Sequence, residues 1–184
     1  AGPGPFDETA ARQAASVYGV QKIAVEQGLE QDCPDALIVR LSKVYGLAKG
    51  DGTLFDEMAS RLLGDRDVDP PFDQIFNPTF VDDVVQGILA LLAAGARGIV
   101  HLCAEPACRR RDLALGMADM LGVDPARVPV PPEATQTTPL RARRFRELTG
   151  LTPLAPLEGL QRMAKAHGAR PKGRHQQETG CDAR

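Results

Sequence analysis

The sequence predicts an α/β fold, because helical patterns alternate along the chain with short runs rich in branched apolar residues. Two of these runs, residues 36–41 and 98–103, are too short for helices and are bounded by turn-forming residues. The first run is apolar on both faces, which is typical of a strand buried in a parallel sheet. At 184 residues, the chain is long enough to form one domain with a sizeable apolar core.

The ends of the elements are predicted from residues that cap or interrupt regular structure. Pro34 ends the first helix, and Gly122 ends the fourth. Thr53 is a candidate N-cap, while Asp82 and Asp83 suit the first turn of the third helix, where the helix dipole favours acidic groups. Helices are predicted over residues 16–31, 53–63, 82–94, 111–121, 140–149 and 156–167, strands over 36–41 and 98–103, a short extended piece over 128–130, and irregular chain over 1–15 and 65–78.

Composition limits the classes of partner. No apolar run approaches the roughly 20 residues of a membrane span, so no membrane association is expected. Arginine clusters lie in the second half of the chain, but it has no Trp and only 2 Tyr for base stacking. We therefore interpret these clusters as solvated helix faces and expect no nucleic-acid partner. Residues 1–168 are predicted to form the folded α/β part and 169–184 a disordered tail, because that tail is polar and lacks apolar periodicity.

The cysteines predict neither disulfides nor a metal site. Cys33, Cys103, Cys108 and Cys181 form no C-x-x-C pair, and no secretory signal is visible. They are therefore expected to be reduced thiols in a cytoplasmic protein. His101 lies close to two of them in sequence, but the spacing fits no common metal pattern.

The pair that best indicates chemistry is Tyr18 and Lys22. Positions i and i+4 of a helix project from one face, one turn apart, so this spacing places a phenol beside an ammonium. A nearby cation favours a phenolate, and such a tyrosine can exchange a proton with a substrate oxygen during hydride transfer. The alternative is a surface tyrosine whose ring packs against a lysine stem.

Several motifs surround this pair in a characteristic order. They are Phe6-Asp7-Glu8 before it, Glu26 after it, the strand 37–46 ending in Tyr45-Gly46, Asp73-Gln74 with the segment 77–84, the strand 98–102, and the helix pair within 148–160. Over about residues 6–162, this order resembles the extended short-chain dehydrogenases/reductases. The segment from Asp73 to Val84 is similar to that of the dTDP-4-dehydrorhamnose reductases and of the related methionine adenosyltransferase β subunit.

The resemblance implies roles for the matched residues. Tyr18 would be the catalytic acid/base, and Lys22 would tune it and bind the ribose of NAD or NADP, so that both would also contact the cofactor. Val44 would contact the nicotinamide end of the cofactor, and Pro78 and Thr79 would line the substrate side. For these last three residues, core packing is the alternative.

The resemblance also implies that part of the fold is missing. Family members begin with a glycine-rich loop that cradles the pyrophosphate at a helix N-terminus, and this sequence contains no such loop. Gly50 and Gly52 follow no βα unit and are predicted to lie in an ordinary loop. We therefore expect an incomplete Rossmann-like fold, the C-terminal half with the substrate-binding part, and a truncated chain that is inactive alone.

Three functions remain open at this stage. The first is an NAD(P)-dependent sugar-nucleotide reductase that acts on a nucleotide-sugar as the complete enzyme. The second is a non-catalytic regulatory module, like the methionine adenosyltransferase β subunit. The protein could form a homodimer or bind a partner enzyme. The third is a nucleotide-sugar epimerase or dehydratase, although the Asp73-Gln74 and Pro78-Thr79 motifs favour a reductase.

Overall fold

The computed structural model describes residues 4–64, 73–128, 130 and 135–167, and the predicted tail over 169–184 lies outside them. The elements are α1 (Val17–Asp32), β1 (Leu37–Leu41), β2 (Val44–Tyr45), α2 (Leu54–Leu63), β3 (Asp73–Phe76), β4 (Thr79–Phe80), α3 (Val81–Ala93), β5 (Gly98–Leu102), β6 (Cys108–Arg109), α4 (Arg110–Leu121), a 3₁₀ turn (Pro125–Arg127), β7 (Thr135–Thr137), α5 (Arg143–Thr149) and α6 (Pro156–Ala166). Within the described ranges, none of the helices is long and apolar enough to cross a membrane.

The two strands predicted from apolar runs, β1 and β5, pair in parallel, with Arg40 opposite His101. Successive side chains of a strand point to opposite faces, and here the two faces are covered differently. On one face, Leu37 and Val39 pack with Val100 into an apolar core formed with α3 and α5. On the other face, Arg40 reaches α1 through charged groups. The α/β class predicted from the sequence is confirmed.

A second apolar core lies between β2 and the helices α2, α4 and α6. Its centre is Tyr45, whose ring centroid lies 4.4 Å from that of Phe55 and 5.8 Å from that of Phe80. Helix α6 passes directly over this tyrosine at Gly159, where an added Cβ would overlap the hydroxyl and lie 2.5 Å from Cζ. The close approach of α6 to β2 therefore depends on the absence of a side chain at this position.

The short strands are the main difference from the predicted elements. β2 pairs in parallel with β4, and β3 lies between β6 and β7. The prediction of irregular chain over 65–78 was wrong for residues 73–76, which form β3. In β3, Ile75 pairs with both Arg109 and Thr137. Such short strands exist only through distant pairing partners, so the local sequence pattern carries little signal for them.

Helix ends agree with the prediction except at α5. This helix begins at Arg143, three residues later than predicted. The reason is that Leu140 forms a bridge with Phe6, while the Arg141 N–H donates to the Phe6 carbonyl at 2.8 Å. These contacts hold the preceding residues in an extended conformation. The predicted helix stop at Gly122 is confirmed, because this residue has a left-handed φ of 71°.

Candidate active site

The candidate catalytic residues lie on α1. The hydroxyl of Ser16 caps this helix by accepting the Gly19 N–H at 3.1 Å. No residue of α1 is buried, and Tyr18 is 68% exposed. Even Val20, on the predicted apolar stripe, is 56% exposed. Apolar packing within the described residues therefore does not fix the position of this helix.

The position of Tyr18 relative to the sheet follows from the course of α1. Glu26 lies about 9 Å along α1 before the C-terminal end of the helix. Arg40 lies about 10 Å along β1 after the first residue of the strand. The side chains of these two residues nevertheless form hydrogen bonds. Only residues 33–36 connect α1 to β1, too few to span both offsets if the helix and the strand ran in the same direction, so the helix runs antiparallel to the strand. Tyr18 lies about 12 Å further back along the helix, beyond the carboxyl end of β1. In parallel α/β sheets, this end of the strands is where ligands bind.

The structure brings Tyr18 and Lys22 together. The ammonium nitrogen of Lys22 lies 5.3 Å from the centroid of the Tyr18 ring, within the range of a cation–π contact. The pair therefore presents an accessible phenol with a cation beside it. Such an arrangement is suited to proton exchange with a substrate oxygen that reaches the phenol.

A cavity of about 340 Å³ lies next to this pair, between α1 and the N-terminal segment. Its wall includes Lys22, Arg12, Arg40, His101 and Thr138, whereas Tyr18 stands outside it. Its volume is at the lower end of the range of small-molecule pockets. Lys22 thus connects the exposed phenol with a partly charged cavity on the α1 face of the sheet.

Charged groups below the cavity join α1 to the sheet. Arg40 donates from Nε and Nη2 to the two carboxylate oxygens of Glu26, at 2.8 and 2.6 Å. Arg12 lies 3.2 Å from the same carboxylate. Nη1 of Arg40 is 3.3 Å from Nε2 of His101, whose backbone N–H donates to Glu8 at 2.9 Å. The network therefore connects the N-terminal segment, α1, β1 and β5.

Near neutral pH, the surroundings of Glu26 and His101 favour an ionised carboxylate and a neutral imidazole. The hydrogen bonds from Arg40 hold the pKa of Glu26 below its usual range, so its carboxyl is ionised. Burial lowers the pKa of His101, so its ring is neutral at pH 7. Sequence reasoning noted Glu26 only as a motif residue and missed its partner Arg40. A lone arginine in an otherwise apolar strand was the signal that it has an ionic partner.

The other predicted site residues occupy packed positions. Val44 is paired with Thr79 across β2 and β4, and it packs against the core of α3. Pro78 and Thr79 are buried. The Thr79 hydroxyl donates to the Asn77 carbonyl at 3.0 Å and accepts the Ala104 N–H at 3.1 Å. The three residues lie close together, and their contacts with cofactor or substrate stay predictions.

Asn77 is a neighbouring residue that sequence reasoning did not single out. It is fully buried, and its amide nitrogen donates to the Ala104 carbonyl at 2.7 Å. Its amide oxygen accepts the Leu140 N–H, also at 2.7 Å. One side chain therefore fixes the loop after β5 to the segment before α5. Both partners are backbone groups distant in sequence, so no local pattern indicates this role.

The loop after β2 is held by a buried carboxylate. Asp56 accepts the N–H groups of Gly50 and Gly52 at 2.7 and 3.0 Å, and Nε2 of His167 lies 3.2 Å from Oδ1. Burial opposes ionisation of Asp56, but these partners outweigh it and hold its pKa below the usual range. Both glycines have positive φ, which supports the predicted loop. Thr53 does occupy the N-cap position of α2, but its hydroxyl accepts the N–H of Gly46 instead of capping the helix.

The three cysteines among the described residues form no site of their own. Cys33, Cys103 and Cys108 are free. Burial raises the pKa of both the Cys103 and the Cys108 thiol to about 12, so both are neutral. Among the residues that the structure describes, no group of three or more His, Cys, Asp or Glu side chains is placed to hold a metal ion.

The fold matches one half of a known class of α/β proteins. The structure of dTDP-glucose 4,6-dehydratase from Bacillus anthracis, determined with NAD, superposes with a TM-score of 0.72 over 90% of this chain and 56% of its own, at 14% identity. UDP-glucose 4-epimerase from Thermotoga maritima gives a TM-score of 0.70 over 89% and 57%, at 21% identity. The chain thus has the fold of part of the Rossmann-type dehydratases and epimerases.

Sequence comparison gives the family. Residues 1–148 match the model of the RmlD substrate binding domain, and the chain belongs to this family. It is 35% identical to dTDP-4-dehydrorhamnose reductase of Mycobacterium tuberculosis over 68% of this chain and 41% of that protein. It is 36% identical to dTDP-4-keto-6-deoxy-D-glucose reductase of Streptomyces niveus over 76% and 48%. The resemblance to the reductases is confirmed, and the chain spans less than half of these relatives.

Proposed function

We propose that these residues form the substrate-side part of an NAD(P)-dependent sugar-nucleotide reductase, with Tyr18 as its proton donor. The observation that carries the proposal is the contact of Lys22 with the Tyr18 ring, 5.3 Å from its centroid. The names of the relatives support reduction of a 4-keto sugar attached to a nucleotide. The matching epimerases and dehydratases are less than 25% identical, so they support the fold alone.

In the proposed reaction, Tyr18 donates its phenolic proton to the carbonyl oxygen of the sugar as that oxygen gains negative charge. Lys22 stabilises the resulting phenolate through its adjacent positive charge. Bound reduced NAD(P) would supply the hydride that reaches the carbonyl carbon. The exposure of Tyr18 leaves its phenol accessible to a ligand approaching from outside the described residues.

The residues present fit one end of the cofactor. Lys22 can donate hydrogen bonds to the hydroxyls of the nicotinamide ribose, because among the described residues the ion pairs of α1 are made by Glu26 and Glu30 and leave its ammonium available. No glycine-rich loop for the pyrophosphate occurs in the sequence. A dinucleotide-binding half supplied by other residues would complete the site. It would also cover the exposed α1 and the second edge of β1, which pairs only with β5 among the described strands.

The cellular compartment and the substrate of the enzyme belong to the same proposal. The three cysteines that the structure describes are free thiols, which suits a reducing compartment, so we place the enzyme in the cytoplasm. The nucleotide-sugar is the expected substrate partner.

Replacement of Tyr18 by Phe tests the proposal in the reductase completed with its dinucleotide-binding half. Turnover of the 4-keto sugar nucleotide should fall by roughly 10²–10⁴-fold, because a positioned acid/base is worth about this much. The chain has only one other tyrosine, Tyr45, which is fully buried, so Tyr45→Phe is the matched control and should keep its turnover. Unchanged turnover of Tyr18→Phe would remove this residue from the mechanism.

A further inference from the structure

We propose that the Glu26–Arg40 ion pair positions the catalytic helix, and that Glu26 and Arg40 are positioning residues of the reductase. The inference rests on the proposed function, because it concerns the same Tyr18 and Lys22. Its physical basis is independent, since it comes from how α1 is attached to the rest of the molecule.

Buried side chains do not hold α1 in the described part of the fold. The helix has 16 residues, and none of them is buried within the part of the chain that the structure describes. Helices of globular proteins are ordinarily fixed by an apolar stripe against the core. Here the side chains of Val17 and Val25 are 75% and 58% exposed. Among the described residues, the polar contacts of Glu26 therefore join α1 to the sheet more firmly than buried apolar side chains do.

The ion pair between Arg40 and Glu26 has a two-point geometry. Two parallel hydrogen bonds, of 2.8 and 2.6 Å, join the Arg40 guanidinium to the Glu26 carboxylate. A two-point contact of this kind fixes orientation as well as distance. The side chains are only 21% and 15% exposed, so water screens the pair less than an ordinary surface pair. Arg40 is itself held in β1, directly opposite His101 of β5.

The register of α1 relates the ion pair to the two candidate catalytic residues. Tyr18, Lys22 and Glu26 follow one another at intervals of four residues, so they lie along one side of the helix. A slip of one residue would turn the helix by about 100° and move the phenol away from its place. Because the pair fixes the rotation at Glu26, it also fixes the direction of the two side chains one and two turns before it.

Other contacts of α1 are weaker candidates for this role. Glu30 also makes a two-point contact, with Arg12, but this arginine lies in the N-terminal segment rather than in the sheet. Its side chain is 43% exposed, compared with 15% for Glu26. Glu30 therefore offers a matched control, one turn from Glu26 on the same helix and with the same chemical group.

The experiment measures kcat and KM of the completed reductase carrying Glu26→Gln, Arg40→Lys or Glu30→Gln. Glu26→Gln and Arg40→Lys should each lower kcat by roughly 10- to 100-fold, because a reacting group misplaced by about 1 Å can cost about 100-fold. KM should stay within about twofold, because neither residue is expected to bind the substrate. Glu30→Gln should keep both constants. Arg40→Lys retains the charge but loses the two-point contact, so its defect would show that orientation matters.

Two results would overturn the inference. One is wild-type kcat for both Glu26→Gln and Arg40→Lys. The other is a lower melting temperature of these variants with an unchanged kcat well below melting, which would show a purely structural role. Hydrogen exchange of the α1 amides in the folded variants gives a second readout, which should speed up in Glu26→Gln and not in Glu30→Gln. Failure of the proposed function is seen separately, as unchanged turnover of Tyr18→Phe.

Discussion

The buried polar residues of this protein hold backbone segments, and each is defined by the groups that it contacts. Asn77 joins two backbone segments through both ends of its amide. Asp56 holds the loop after β2 through two backbone N–H groups. Removal of such a side chain leaves its buried partners without hydrogen bonds, which costs more than the bonds themselves contribute.

For Asp56, this reasoning predicts a stability effect that depends on pH. Its folded-state pKa is below the unfolded value, so its contribution is complete above about pH 4 and is lost as the pH falls through the folded-state pKa. Asp56→Asn should lower the free energy of unfolding by about 1.5–3 kcal/mol at pH 7, because charged hydrogen bonds are replaced by a mismatched amide. The difference between the two proteins should shrink in acid, as measured by urea unfolding.

Asp82→Asn is a suitable comparison, because Asp82 is an exposed residue in the first turn of α3. Its substitution should change stability by no more than about 0.5 kcal/mol. An Asp56→Asn defect of equal size at pH 7 and pH 3 would mean that packing, not charge, is the cause.

At the scale of elements, helices in this protein approach strands in two different ways. Helix α1 is joined to β1 by an ion pair, whereas α6 lies directly on Tyr45 of β2. The second arrangement tolerates no side chain at Gly159. By contrast, Gly28 of α1 has open space around the position of a Cβ.

These two glycines predict opposite results for the same substitution. Gly159→Ala should lower the free energy of unfolding by at least about 2 kcal/mol, because the new methyl group overpacks the ring of Tyr45. Gly28→Ala should raise it by about 0.5–1 kcal/mol, because alanine is a better helix former in an unobstructed position. Urea unfolding of both variants measures the two effects. A neutral Gly159→Ala would show that α6 can move away from β2.

Local sequence predicted some of these elements well and others poorly. The helices were found because apolar periodicity, Pro34 and Gly122 are local signals. β3 was missed because its four residues depend on pairing with β6 and β7. The start of α5 was placed too early because Phe6 holds Leu140 in an extended bridge.

For the whole molecule, the described residues leave one side of the fold open. The second edge of β1 has no partner strand among them, and the exposed face of α1 lies on the same polar side of the sheet as Arg40. The chain also spans only 38–48% of the three reductases to which it is 33–36% identical. Both observations are consistent with the proposal that a dinucleotide-binding half, supplied by other residues, completes the site.

The 184-residue chain alone is therefore expected to lack catalysis and measurable dinucleotide binding. NADPH or NADH fluorescence should show no saturation at micromolar concentrations of the chain, because no described residues form a pyrophosphate cradle. The completed reductase serves as the positive control. Micromolar affinity of the isolated chain for NADPH or NADH would contradict this prediction and would require a cofactor site within these residues.

The sequence by itself determined the α/β class, most helix boundaries and the spacing of Tyr18 and Lys22, because each depends on residues within one or two helical turns of one another. The tertiary structure decided the remaining features: the place of Tyr18 beyond the end of β1, the joining of Glu26 to Arg40, the packing roles of Asn77 and Thr79, and the need for glycine at position 159. These features are contacts between segments far apart in the chain. Their geometry arises only when the strands pair and the helices pack, so no local pattern records it.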